Sequence, residues 1–186
     1  EIHCCLVGSE MCIRDSCFSR FLCSLPRKKC KCKNVDFLKR IVIVAEVING
    51  GCHCGNITLC FNISSTFDEL PIRACQCSFC RKHNVRATAD PNGELEVYIK
   101  DKSKLSKYRF GLGITDFLVC KECGIYVAAV MEDPENGKLL ATCVVNALDV
   151  SDKNIKAPAA AHYEEETSTD RLQRRRKRWM RANLIG

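Results

Sequence analysis

Seven cysteines in the middle of this chain fall into three tight groups, and those groups limit what the chain can become. The densest is Cys75-Gln76-Cys77-Ser78-Phe79-Cys80, followed directly by Arg81-Lys82. Cys52-His53-Cys54 lies upstream of it and Cys120-Lys121-Glu122-Cys123 downstream. Thiols spaced as C-x-C and C-x-x-C make strained disulfides within a pair but good two-point clamps on a soft metal. The count matters as much as the spacing. A closed structural zinc takes four protein ligands, whereas a zinc that does chemistry takes three and keeps one position open.

Spacing alone leaves the pairing of the groups open. Cys52 and Cys54 can join Cys120 and Cys123 on one metal, as two knuckles on separate hairpins, or they can join Cys77 and Cys80. In either arrangement one metal is left short of four cysteines. Cys60 and Cys143 stand outside these spacings and inside strand patterns, so they read as buried thiols that pack as small hydrophobes.

Sixteen cysteines in 186 residues would mean disulfides in a small secreted domain and metal in a reducing compartment. The start of the chain lacks the charged-then-apolar layout of a secretory signal. No stretch approaches the roughly 18 consecutive apolar residues of a membrane span. The expectation is a cytoplasmic protein, with the nucleus as the alternative and no membrane partner. The net charge of +7 divides as +4 in residues 1–47, −1 in 48–150 and +4 in 151–186. Nucleic acid is therefore not expected as a partner of the middle and would act only through the basic tails.

Three regions are expected. In residues 1–45, seven cysteines lie without any hydrophobic period, and Leu6-Val7-Gly8-Ser9-Glu10-Met11-Cys12-Ile13-Arg14-Asp15-Ser16 resembles a translated sequencing-adapter fragment. That region is read as disordered or as a sequencing or translation artefact. The functional alternative is an extra metal or redox segment around Cys30-Lys31-Cys32. Residues 46–150 carry the regular patterns. Ile57, Leu59, Phe61 and Ile63 alternate with polar neighbours as a half-buried strand, and Leu95, Val97 and Ile99 do the same. Asp90-Pro91-Asn92-Gly93 and Glu135-Asn136-Gly137 mark turns. Short strands with hardly any helical period argue for a mainly β domain. Residues 151–186 read as a linker near Pro158 followed by a basic tail, with six arginines and one lysine between residues 171 and 181. A solvated tail is the expectation there; a basic docking helix is the alternative.

Gly50-Gly51-Cys52-His53-Cys54-Gly55-Asn56-Ile57, then Cys75-x-Cys77-Ser78-x-Cys80-Arg81-Lys82, then Phe117-x-x-Cys120-x-x-Cys123-Gly124 resemble the three signature blocks of the glutathione-dependent formaldehyde-activating enzyme family, which also contains centromere protein V. The resemblance covers residues 46–150. It implies a β-tent fold of short antiparallel sheets stapled by zinc knuckles, with poorly ordered tails. It also implies two zincs per chain, a structural one on Cys52, Cys54, Cys120 and Cys123 and an open one on Cys75, Cys77 and Cys80. Gln76 stands where many relatives have histidine, and Asn84 where they often have glycine; asparagine tolerates the left-handed backbone that such a turn needs.

Three thiolates leave a divalent zinc site with a formal negative charge, which blunts Lewis acidity and suits binding a fourth thiolate from substrate. The expected activity is that of a carbon–sulfur lyase: reversible addition of a glutathione-like thiol to formaldehyde or a related aldehyde, as in S-(hydroxymethyl)glutathione synthesis. Arg81 and Lys82 are the candidates for holding a substrate carboxylate. The alternative is a non-enzymatic zinc module that carries glutathione or binds a partner or nucleic acid.

Overall fold

The computed structural model describes residues 46–151 and 155–186. The readings placed on residues 1–45 lie outside these. The described residues begin with a hairpin of β1 (Glu46–Gly51) and β2 (Ile57–Ile63), whose register pairs Glu46 with Ile63 and Gly51 with Thr58. Strand β2 then pairs antiparallel with β5 (Glu94–Ile99). The alternation read from the sequence is present: Ile57, Leu59, Phe61, Ile63, Leu95 and Val97 are all buried. Cys60, on the other face of β2, is buried as well, so that strand is covered on both sides at its centre. Between β2 and β5 run β3 (Arg73–Cys75), the one-turn helix α1 (Ser78–Lys82) and β4 (Ala87–Thr88).

The second half is a meander of β6 (Leu105–Tyr108), β7 (Asp116–Cys120), β8 (Tyr126–Glu132) and β9 (Leu139–Val144), each antiparallel to the next. Six consecutive residues of β8, from Tyr126 to Met131, are buried, as expected of a strand covered on both faces. At the β8–β9 turn Gly137 sits at φ +65 and donates to the Asp133 carbonyl at 2.8 Å. At the other predicted turn, Gly93 donates to the Asp90 carbonyl at 2.9 Å.

The C-terminal region departs from the sequence expectation. Residues 155–186 are not a solvated tail. They supply β10 (Ala159–Ala161), which lies parallel to β3, then α2 (Ser168–Arg178) and β11 (Met180–Ile185). Strand β11 is inserted between β5, to which it runs parallel, and β9, to which it runs antiparallel. Met180 and Ala182 point into the core and are buried there. The eleven strands among the described residues thus form one mixed sheet rather than purely antiparallel ones, with the parallel pairs made by β10 and β11. The physical reason is local. The alternation Met180, Ala182, Leu184 is short but sufficient for a strand that fills a gap, and Thr167 caps α2 by accepting from the Asp170 amide at 3.2 Å. Among the described residues no helix is long and apolar enough to cross a membrane.

Candidate metal centres and their cavity

The β1–β2 loop and the β7–β8 turn bring Cys52, Cys54, Cys120 and Cys123 together, with all four sulfurs within 4.8 Å of one another. The sulfur pairs Cys52–Cys54 and Cys54–Cys120 are 3.6 and 3.4 Å apart. Four sulfurs placed tetrahedrally about a metal at about 2.3 Å would stand about 3.8 Å from each other, so the group is dimensioned for one metal. The backbone supports it in the manner of a knuckle. Ile57 N donates to Cys52 Sγ at 3.2 Å, and Gly124, at φ +72, lets its N–H turn back to the Cys120 carbonyl at 2.9 Å. Cys123 works against a burial penalty but is drawn down to about 6 by backbone N–H groups of Cys54 and Ile125.

Cys75 at the end of β3, Cys77 at the N-cap of α1 and Cys80 within α1 form the second group, again with sulfurs within 4.8 Å. Cys80 N donates to Cys77 Sγ at 3.5 Å. Asn84, the one described non-glycine residue with positive φ, at +46, ends the helix and lets Val85 N reach the Cys80 carbonyl at 3.0 Å. The departure from glycine there leaves the turn intact. Gln76 turns its side chain to the Ala74 carbonyl at 2.9 Å while its own N–H reaches Ala161 of β10, also at 2.9 Å.

The charge states within this triad are unequal. Cys77 is drawn far down by hydrogen bonds from Cys75 and then Cys80. Cys75 is pushed up first by its hydrogen bond to Cys77, and Cys80 by those to Cys75 and Cys77. Three sulfurs this close cannot all ionise without a cation between them, and a soft divalent metal removes that conflict. Both groups therefore fit a thiolate-bound metal. Among the described residues no fourth Cys, His, Asp or Glu joins the triad. All nine described cysteines are thiols rather than disulfides, and Cys60 and Cys143 sit buried inside strands β2 and β9.

The triad opens onto a cavity of about 580 Å³, a volume typical of small-molecule sites. Phe110, Phe117, Tyr126, Tyr163 and Trp179 line it with aromatic rings, and Phe79 of α1, outside the lining, packs on two of them with ring centroids 4.8 Å from Phe117 and 5.2 Å from Tyr126. Burial, and then the sulfurs of Cys80, Cys75 and Cys77, hold the Tyr126 phenol well above its ordinary range.

The positive charge in the cavity does not come from the predicted pair. Arg81 and Lys82 are exposed and are not among the lining residues, and His53 is exposed too. The lining arginines are Arg73 on β3 and Arg171, Arg174, Arg175 and Arg178 on α2. Helix α2 is fastened to the rest of the chain by ion pairs. Arg174 holds Glu166 with bonds of 2.5 and 2.8 Å, and Arg176 holds Asp133 with bonds of 3.0 and 2.6 Å. Arg174 also lies over the Tyr163 ring at 3.7 Å. The arginine run was visible in the sequence; its inward direction was not, because that depends on where β11 is inserted.

The model of the glutathione-dependent formaldehyde-activating enzyme family matches residues 47–166. The chain belongs to that family. The match contains all seven clustered cysteines and stops just before α2. A solved protein from Rhodobacter sphaeroides is 25% identical, with a TM-score of 0.48, and covers 61% of this chain and 99% of its own. No curated protein matches.

Proposed function

We propose that this formaldehyde-activating family member is a zinc enzyme of carbon–sulfur chemistry. It adds a glutathione-like thiol reversibly to formaldehyde or a related aldehyde, with zinc on the four-cysteine group for structure and zinc on Cys75, Cys77 and Cys80 for chemistry. The observation that carries this reading is a triad of sulfurs with no fourth described ligand, opening onto a cavity of about 580 Å³. Zinc held by three thiolates supplies a position at which a substrate sulfur stays deprotonated at neutral pH.

The residues of the chain account for the remainder. Phe110, Phe117, Val85 and Ala129 line the cavity with apolar surface and keep water from competing for a small electrophile. Tyr126 retains its proton at Oη, because burial and the sulfurs both disfavour phenolate, and so serves as an O–H donor for the aldehyde oxygen. The reaction balances without an oxidant or reductant. The thiol gives up its proton to solvent on ionising, the sulfur lone pair forms the C–S bond, the carbonyl π pair moves to oxygen, and that oxygen takes up one proton in return.

Elemental analysis is expected to give two zincs per chain. Adduct formation from glutathione and formaldehyde is then followed against the protein-free reaction, which is itself quick. A rate no faster than background, with no thiol binding, overturns the proposal. Saturable thiol binding without acceleration would make the protein a carrier instead.

A further inference from the structure

The cysteine triad shares its cavity with five arginines and two glutamates, Glu164 and Glu166, and three of the arginines have no carboxylate partner among the described residues. Of the arginines on α2, Arg174 is answered by Glu166 and Arg176 by Asp133 and Glu135. Arg171 lies 3.5 Å from Glu166 and donates to the Tyr163 carbonyl. Arg175 has no such partner. It is 7% exposed, its Nη1 donates to Thr115 Oγ1 at 2.6 Å and to Met131 Sδ at 3.2 Å, and it stacks over Trp179 at 4.5 Å. Its Nε is buried without a hydrogen-bond partner. Neither Arg73 nor Arg178, which line the same cavity, has a carboxylate ion-pair partner among the described residues.

A buried charge without a counter-ion is costly, and Arg175 is the buried member of the three. Burial, then Arg174 and Arg171, draw Arg175 down to about 10. Burial lowers Arg73 as well, with Arg178 and Arg174 adding to the effect against an opposing influence of Tyr163. A ligand carrying carboxylate oxygens would answer all three, and the planar fork of arginine matches a carboxylate in two-point fashion.

We propose that Arg175, with Arg73 and Arg178, receives a carboxylate of the thiol ligand whose sulfur goes to the cysteine triad, so that the site selects acidic thiols over neutral or cationic ones. This rests on the thiol-binding reading of the triad given above. Arg175 and Arg178 lie beyond residue 166, where the family match ends. Two of the three receptor residues are thus supplied by the C-terminal segment, and Arg73 comes from β3 inside the matched region.

Trp179 is the single tryptophan of the chain. It lines the cavity beneath Arg175, so its fluorescence reports on the site directly. The zinc-loaded full chain is titrated with S-methylglutathione, which keeps both carboxylates but has no thiol, and with its diethyl ester. Inorganic phosphate is titrated as a third probe. The expected result is a saturable, salt-sensitive change with S-methylglutathione. Binding should be about tenfold or more weaker for the diester, and by a similar factor in Arg178→Gln and Arg175→Gln. Arg178 is exposed, so its variant keeps the test open even where Arg175→Gln fails to fold.

Equal affinity for acid and ester, or unchanged affinity in Arg178→Gln, overturns the proposal. Phosphate binding as tightly as S-methylglutathione does so too, because the arginines would then hold a free anion. Failure of the thiol reading would look different. In cobalt-substituted protein, 2-mercaptoethanol would leave the visible absorption unchanged while the carboxylate titration persisted.

Discussion

Replacing Met180 with alanine separates a C-terminal strand that completes the sheet from a tail that merely follows it. Met180 opens β11, pairs with Ala141 of β9, and is 0% exposed in the core. The variant removes three heavy atoms beyond Cβ, a loss of about 2 kcal/mol in transfer free energy at about 0.8 kcal/mol for each buried methylene equivalent. The cavity left behind adds to this, and large-to-alanine changes at buried sites run to about 2–5 kcal/mol. A value of about 3 kcal/mol is expected here. At about 3–5 °C per kcal/mol for a domain of this size, Tm should fall by about 10–15 °C. Thermal unfolding of the zinc-loaded protein followed by circular dichroism measures it. Ile185→Ala, at a position on the same strand that is 39% exposed, serves as the control and should cost about 1 kcal/mol or less. If both variants melt within about 2 °C of the parent, residues 180–185 are not in the sheet, and the α2 wall of the cavity loses its anchor as well.

The two metal groups should respond differently to loss of one sulfur. Cys77→Ser is expected to lower zinc from two to one per chain and keep a cooperative unfolding transition, while Cys120→Ser, buried in β7, loses the clamp between two hairpins and with it the fold; the reverse pattern in elemental analysis and circular dichroism would make the triad the structural site. Asp133 and Glu166 are both held below the usual carboxylate range, first by their hydrogen bonds to Arg176 and Arg174 respectively. Their stabilising effect is present above their unfolded values, near about 4, and is lost as pH falls through the lower folded values. Helix α2 should therefore loosen below about pH 4, and Asp133→Asn should loosen it already at neutral pH. Trp179 emission against pH checks this, and superimposable profiles for parent and variant would refute it. In Gly50→Ala, an added Cβ would meet the Ala147 carbonyl oxygen at 2.2 Å and Leu148 Cα at 2.8 Å. Urea unfolding should show a loss of about 1–3 kcal/mol, and an unchanged midpoint would mean that β1 does not pack against residues 147–148.

Much of the central region was legible because its signals are local. Alternation marks β2 and β5, the turn residues at Asp90–Gly93 and Glu135–Gly137 behave as their chemistry requires, and the cysteine spacings mark the two groups that could hold a metal without knowledge of the fold. The cavity was not legible, for reasons that are equally physical. Its lining residues Val85, Phe110, Phe117 and Tyr126 come from separate parts of the chain and meet only in the folded structure. In α2 an arginine occupies a buried position, where a hydrophobic period would call for an aliphatic residue. That substitution conceals the inward face of the helix. Thr167 three residues before Asp170, and the alternation of Met180, Ala182 and Leu184, were the available clues. Both are short, and the run of arginines between them reads as solvent-facing charge.

The insertion of β11 between β5 and β9 also has a consequence for biogenesis. Strands β5 and β9 are not neighbours of each other; each waits for a partner that is synthesised after both. While the chain is being made, two unpaired strand edges stay open, and such edges invite pairing with other chains. The same late segment carries the arginines of the cavity. Sealing the sheet and assembling the cavity wall are therefore one event, and a product arrested before residue 180 would have neither.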